Sequence, residues 1–337
     1  MRENLLLTNN NHPQFNQDAK IYENMYTLLE QQLQTWELCK SNYSALDNVK
    51  IKKFVFENGI TINVQFNPAR VISSTAKVDP KSIKERKCFL CVNNLPEQQK
   101  GIIYKEKYLI LVNPYPIFNQ HFTIPDLQHT PQEILSRFSD MLDFSKDLNK
   151  KFVVFYNGPK CGASAPDHFH FQAGQRNFMS IDNEYEIIIN NCVIANKITN
   201  NISSYLVGEN YLRSHFIFIS NKKDLLIDEF NKLYKSMANG DEEPLMNIIV
   251  YWDNILDLEG WRIHIFPRKK HRPDCYFKEG DENITISPAS VDIGGVMITP
   301  FEKDFEKITK NDLINILREV TLSNDEILSI YENYLSL

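Results

Sequence analysis

At 337 residues the chain has room for one large domain or two of ordinary size, and 42% hydrophobic with 24% charged residues is the balance of a chain that buries a sizeable core. A net charge of −6 argues against a protein that coats nucleic acid by bulk electrostatics. No apolar run reaches the roughly 18 residues of a membrane helix and Leu5-Leu6-Leu7 is too short for a signal peptide, so a cytoplasmic location is the expectation.

In chain order, only the polar stretch 9–16 reads as disordered. Residues 17–45 place Tyr22, Met25, Leu28, Leu29, Leu33 and Trp36 on one face of an expected helix. Phe54-Val55-Phe56 and Ile60-Thr61-Ile62-Asn63-Val64 flank Asn58-Gly59, a pair that tolerates positive φ, so a β-hairpin is predicted. Strands are expected at 108–112, 121–124, 152–156 and 168–172, with a helix over 131–149 opened by Pro131 and capped by Thr130. The second half repeats this grammar: strand 216–219, helix 223–237, then strands 247–252 and 262–266 joined by a turn containing Gly260. A shift of 94 residues lays His121-Phe122 on His215-Phe216, His168 on Arg262 and His170 on His264, which predicts an internal duplication.

The densest chemical signal runs from Asn157 to Gln172, a strand, a loop rich in small residues, and a second strand. On a strand His168, His170 and Gln172 share one face while Phe169 and Phe171 take the other. Three polar side chains on one face call for a polar partner, a metal or a ligand, the alternative being histidines satisfied within a core. The small loop residues let backbone N–H groups approach an anion. Among six cysteines (Cys39, Cys88, Cys91, Cys161, Cys192 and Cys275) only Cys88-Phe89-Leu90-Cys91 is a close pair, which suits free thiols plus a metal knuckle better than a disulfide framework. The basic run Pro267-Arg268-Lys269-Lys270-His271-Arg272 is either a solvated face or a phosphate site, with Arg86 and Lys160 as further candidate cations.

His168-Phe169-His170-Phe171-Gln172 resembles the transferase branch of the histidine-triad superfamily, which includes galactose-1-phosphate uridylyltransferase, the GDP-hexose phosphorylases and the diadenosine tetraphosphate phosphorylases. That branch carries His-x-His-x-Gln where the hydrolases have a third histidine. Phe169 stands where the uridylyltransferases usually have proline, so the wording is most similar to the GDP-hexose phosphorylases. The resemblance covers roughly residues 50–300 and is strongest over 86–176. It implies an α+β protein, a duplicated histidine-triad-like fold of antiparallel sheets with flanking helices. The expected parts are an N-terminal helical extension (1–50), a catalytic half with a zinc site (51–200) and a degenerate second half (201–337).

Carried onto this sequence, the resemblance makes His170 the nucleophile of a covalent nucleotidyl-histidine intermediate and Gln172 a ligand of a phosphate oxygen. Ser164 and the backbone at Gly162 would grip the phosphates. Asn113 would contact ribose and Phe89 the base, with Asn157, Lys160, Arg268 and Lys270 as further substrate contacts. A structural zinc would be held by Cys88, Cys91, His129 and His168, His129 following His121 at the family's spacing of eight. The implied substrates are a nucleotide sugar or dinucleoside polyphosphate, with phosphate or a sugar phosphate as acceptor, and a homodimer is an expected assembly. A phosphorylase is the leading expectation. A hexose-1-phosphate nucleotidylyltransferase, a dinucleotide hydrolase and a catalytically silent zinc-stabilised nucleotide-binding protein are the alternatives. His264, without a histidine at 262 or a glutamine at 266, is expected to be structural. The stretch from Ser287 to Pro300 resembles the C-terminal part of the phosphorylases and has no chemical role assigned.

Overall fold

The computed structural model describes residues 5–8, 12, 14–71, 75, 78–240, 242–255 and 258–337; positions 9–11 and 13 of the stretch expected to be disordered lie outside the described residues. The predicted hairpin forms: β1 (Lys50–Val55) and β2 (Thr61–Phe66) pair antiparallel, and Gly59 takes the positive φ of +78° that the turn requires.

The first half then supplies β3 (Gly101–Tyr104), β4 (Tyr108–Val112), β5 (His121–Pro125), β6 (Phe152–Asn157) and β7 (His170–Gln175). The second half supplies β8 (Val193–Ile198), β9 (Ser203–Val207), β10 (His215–Ser220), β11 (Met246–Ile255) and β12 (Leu258–Pro267). These ten strands form one sheet in the order β3-β4-β5-β7-β6-β11-β12-β10-β9-β8. The order reads the same inward from either edge, so the two halves are copies that meet where β6 pairs antiparallel with β11. A last strand, β13 (Val296–Thr299), joins β2 in parallel to complete a small three-stranded sheet.

The helices are α1 (Ile21–Thr35), α2 (Glu37–Ser44), α3 (Pro80–Glu85), α4 (Phe138–Asp147), α5 (Tyr185–Asn191), α6 (Lys223–Met237), α7 (Ser290–Ile293), α8 (Glu302–Lys307), α9 (Lys310–Val320) and α10 (Asn324–Leu335). One face of the large sheet packs on α1, α4, α6 and α10, where Phe138 and Phe230 stack at 3.8 Å. The other face, carrying Phe155, Ile217 and Ile249, packs on the small sheet and on residues of the C-terminal third. Among the described residues no helix is long and apolar enough to cross a membrane.

Four local expectations need correction. The helix expected over 17–45 is two helices, because Trp36 turns extended (φ −122°, ψ 100°) and its side chain is buried. The helix expected over 131–149 is regular only from Phe138, since the backbone of Gln132 is bound to Pro166 and its side chain to His170 and Asn157. His168 precedes the strand that begins at His170 and sits in a turn closed on Ala165. Gly260 lies inside β12 opposite Asp253, where an added Cβ would meet the Ser220 carbonyl oxygen at 2.9 Å. β11 ends at Ile255 and β12 begins at Leu258, and residues 256–257 between them lie outside the described residues.

The duplication holds, with a shift of register. Thr123 pairs with Gln172 in the first half, and its counterpart Ile217 pairs with His264 in the second. Phe155 likewise pairs with Gln172, and Ile249 with His264. By its neighbours on both sides, His264 therefore stands in the place of Gln172, and Arg262 in the place of His170. A shift of two residues keeps every side chain on its original face, so the offset of 94 hides it.

Candidate active site

Opposite the long helices, the ends of β4 to β7, α7 and the loop 158–167 surround a cavity of about 450 Å³, a volume suited to a small ligand. His170, Gln172, Asn157, Ser164, Gly162 and Asn113 all line it.

His170 is 5% exposed, and its Nδ1 lies 2.9 Å from the His168 carbonyl. A carbonyl only accepts, so Nδ1 carries the proton and Nε2 keeps a lone pair. Burial pushes this imidazole down to about 4, which keeps it neutral. Continuing the β6–β7 register would set Asn157 opposite His170, but the ladder stops at Phe155–Gln172. The Gln132 side chain fills the gap. Its Oε1 accepts from His170 N at 2.8 Å, and its Nε2 donates to the carbonyls of His170 (3.0 Å) and Asn157 (2.9 Å). Nothing in the sequence pattern singles out Gln132.

Gln172 is oriented from behind. The amide of Ile117 donates to His121 Nδ1 at 3.2 Å, which leaves the proton of this ring on Nε2. His121 Nε2 then donates to Gln172 Oε1 at 2.9 Å, so the Gln172 amino group is the end left for the cavity. Burial first, and then the nearby Arg70 charge, push His121 down to about 3, so it stays in this neutral form.

The remaining expected contacts divide into two groups. Asn113 lines the cavity with both ends engaged, accepting from Tyr115 N and donating to Thr123 Oγ1. Gly162 (φ +99°) is pressed against Ala289, whose Cβ would lie 2.5 Å from an added side chain. Phe89 lines the cavity and carries the Arg86 guanidinium over its ring at 5.0 Å; Arg86 also pairs with Asp167 at 2.5 Å. The basic side chains lie elsewhere. Lys160 and Lys270 line a separate depression, Lys160 paired with Glu242 and Lys270 with Asp274 and Glu319. Arg268 is buried and bonded within the second half.

Among the described residues, the cation that does line the cavity is Arg70, unmarked by any motif. It donates to the Tyr115 carbonyl at 2.6 Å, and burial brings it down to about 10 against the opposing charge of Asp292. Asp292, also in the lining, accepts from Ala289 N and Ile298 N, and burial raises its carboxyl to about 6. Ser287, Ala289, Val291 and Ile298 join it, so the stretch from Ser287 to Pro300 forms one wall. Trp36 brings the N-terminal helices to the opposite side.

Beside the cavity, Cys88, Cys91, His129 and His168 bring four ligand atoms within 4.8 Å of one another. Cys88 Sγ lies 3.2 Å from His168 Nδ1, and Cys91 Sγ lies 3.1 Å from His129 Nδ1 and 3.6 Å from His168 Nδ1. A tetrahedral ion with bonds of about 2.3 Å to sulfur and about 2.0 Å to nitrogen needs similar S–N separations. His168 Nε2 donates to the Asp126 carbonyl at 2.8 Å, which frees Nδ1 to bind, the outer-shell pattern of metal-ligating histidines. The four residues can hold a metal ion.

At the corresponding strand of the second half, among the described residues, buried side chains fill the place. His264, buried, donates from Nδ1 to His215 Nε2 at 3.0 Å, because His215 Nδ1 gives its proton to the Arg213 carbonyl at 2.8 Å, while Phe266 stacks on His215 at 4.4 Å. Arg262 lies over Tyr251 at 4.7 Å and Tyr185 at 5.0 Å.

Two domain profiles match the chain. A domain of unknown function, DUF4922, covers residues 28–175, and a GDPGP1-like C-terminal domain covers residues 196–336. No curated protein sequence matches it. Among solved structures, yeast Ap4A phosphorylase Apa2 is similar with a TM-score of 0.55 at 14% identity, over 85% of this chain and 97% of the yeast chain. The same yeast protein in complex with Ap4A matches with a TM-score of 0.54 at 15% identity, over 86% and 97%. At such identity the likeness is one of fold.

Proposed function

We propose that this chain, which belongs by fold and by its GDPGP1-like C-terminal domain to the transferase branch of the histidine-triad superfamily, is a nucleotidyl-transferring phosphorylase of nucleotide sugars of the GDP-hexose kind. One observation carries the reading: the unprotonated Nε2 of His170 is left for the cavity, which the amino group of Gln172 also lines.

In the first step His170 Nε2 attacks the α-phosphorus of the nucleotide sugar. The N–P bond forms as the bond from that phosphorus to the bridging oxygen breaks, and hexose 1-phosphate leaves with the bond's electrons. In the second step orthophosphate attacks the same phosphorus, the N–P bond breaks, and a nucleoside diphosphate leaves with His170 restored. Neutral imidazole suits both steps, as nucleophile and as leaving group. The Gln172 amino group, the Ser164 hydroxyl and the Arg70 guanidinium are among the donors that line the cavity for charge gathering on phosphate oxygens. Gln172 has no proton to give a leaving group, which suits transfer better than hydrolysis.

Two thiolates and two imidazoles form a closed donor set that fits a structural zinc. Bound there, zinc would tie the Cys88–Cys91 knuckle to the turn that enters β7 and so fix the aim of His170.

The test is product analysis. The protein is incubated with orthophosphate and a panel of nucleotide sugars and dinucleoside polyphosphates. Nucleoside diphosphate with hexose 1-phosphate is the expected pair. Turnover that requires hexose 1-phosphate as acceptor would indicate a nucleotidylyltransferase, and phosphorolysis confined to dinucleoside polyphosphates would change the substrate. Nucleotide binding without turnover would leave a silent binding protein.

A further inference from the structure

Arg268 belongs to the degenerate half, and its donors are all engaged there. Nε donates to the Val320 carbonyl at 2.9 Å. One terminal nitrogen donates to Pro288 O at 3.0 Å and to Asn247 Oδ1, and the other to the carbonyls of Lys270 and His271, each at 3.2 Å. A guanidinium has five N–H groups and no acceptor, so Asn247 must turn its oxygen toward Arg268 and its amino group away. That amino group donates to Asn157 Oδ1 at 3.0 Å and to the Cys161 carbonyl at 2.8 Å. Asn157 Oδ1 accepts a second bond from Ser290 N at 2.8 Å.

Two donors thus hold the Asn157 oxygen, and the amide cannot flip without setting its amino group against both. The Asn157 amino group, with no hydrogen-bond partner among the described residues, is the end left for the cavity that His170 lines. We infer that Arg268 and Asn247 are positioning residues, which set the polarity of Asn157 so that it donates to an oxygen of the phosphate attacked by His170. The degenerate half keeps this part in the chemistry although its own strand lacks the motif. The inference rests on the phosphoryl-transfer reading above.

Asn247→Asp separates polarity from packing. The carboxylate still accepts from Arg268, but its second oxygen meets Asn157 Oδ1, and two acceptors repel. Asn157 then loses its anchor or turns its oxygen toward the phosphate.

The experiment is a double-mutant cycle on the full chain with wild type, Asn157→Ala, Asn247→Asp and the double variant. It reads equilibrium binding of GMP and AMP, and nucleotidylation of the protein by GDP and ADP, which releases orthophosphate. Each single substitution is expected to weaken binding or slow nucleotidylation roughly ten- to a hundredfold, the worth of one charge-assisted hydrogen bond. The double variant is expected to be no worse than Asn157→Ala alone, because Asn247 acts only through Asn157. Asn247→Ala, which removes the donor without adding an acceptor, supplies a second cycle if Asn247→Asp does not fold, with a smaller loss expected. Losses that multiply in the double variant, or wild-type behaviour of Asn247→Asp, would overturn the inference. A wild-type protein that neither binds nor reacts with any of these nucleotides would overturn the functional reading, and the inference with it.

Discussion

Gln132 holds His170 at both of its backbone groups, accepting from the N–H at 2.8 Å and donating to the carbonyl at 3.0 Å. One side-chain amide here stands in for a strand, at the place where β6 and β7 separate to open the cavity. Gln132→Leu is close in size and leaves three buried backbone groups without partners. The expected cost is about 2–4 kcal/mol of unfolding free energy, read by denaturant titration, together with slower nucleotidylation while the protein is still folded. Stability and rate both equal to wild type would mean that the Gln132 bonds do not hold the nucleophile.

The chain Ile117–His121–Gln172 makes an ordering prediction. Gln172→Ala removes a donor to the phosphate, with an expected loss of roughly a hundredfold in rate. Gln172→Glu still accepts from His121 but turns a carboxylate oxygen toward an anionic phosphate. It is expected to be slower than Gln172→Ala, despite being closer in shape to glutamine. Single-turnover rates of both variants decide the matter, and a Glu variant faster than the Ala variant would contradict the assigned orientation.

Glu243 supplies a pH dependence. It accepts from Tyr156 Oη at 2.6 Å and Ile134 N at 2.5 Å, while Tyr156 Oη also lies 3.0 Å from the Gln132 carbonyl. The single Tyr156 proton cannot serve both acceptors, whereas a protonated Glu243 could donate to Tyr156 and free it for Gln132. Burial raises the Glu243 carboxyl from the ordinary 4.5 to about 7. A raised pKa means that the folded state holds its proton longer. Its contribution to stability is present below the unfolded pKa and is lost as pH rises through about 7. Glu243→Gln removes that loss. The variant should gain on wild type from about pH 5 and level off above about pH 7 in parallel thermal melts. A difference that stays flat across this window would show that Glu243 is ionised throughout.

The Cys88, Cys91, His129 and His168 cluster predicts one zinc per chain by metal analysis. Chelation or Cys88→Ser should lower stability by several kcal/mol and slow nucleotidylation, since His168 stands two residues before His170, the first residue of β7. Metal-free protein with unchanged melting and rate would reduce the cluster to a set of packed side chains.

Legibility in the sequence followed the range of the interactions. The Asn58-Gly59 hairpin and the alternation of Phe169, His170, Phe171 and Gln172 are local patterns, and both appear in the fold. The helix expected from Pro131 failed because Gln132, Pro166 and His170, far apart in sequence, compete for the same backbone. The basic run after β12 left a solvated face and a phosphate site both open; Lys269 pairs with Glu326 and Lys270 with Asp274 and Glu319, and no local rule brings α9 and α10 there. Arg70 and Asp292 stand 222 positions apart (292 − 70) with no motif around either, and only the parallel pairing of β13 with β2 brings their segments together. The register shift of two in β12 escaped notice because a period-two strand looks the same after it.

Intact-mass analysis after exposure to nucleotide sugars without acceptor tests the central claim most directly. Wild-type protein is expected to gain the mass of one nucleotidyl group (a nucleoside monophosphate less water), to lose it when orthophosphate is added, and to show no gain as His170→Ala. An adduct that persists in His170→Ala, or turnover with no adduct on a protein shown to bind the donor, would contradict the account.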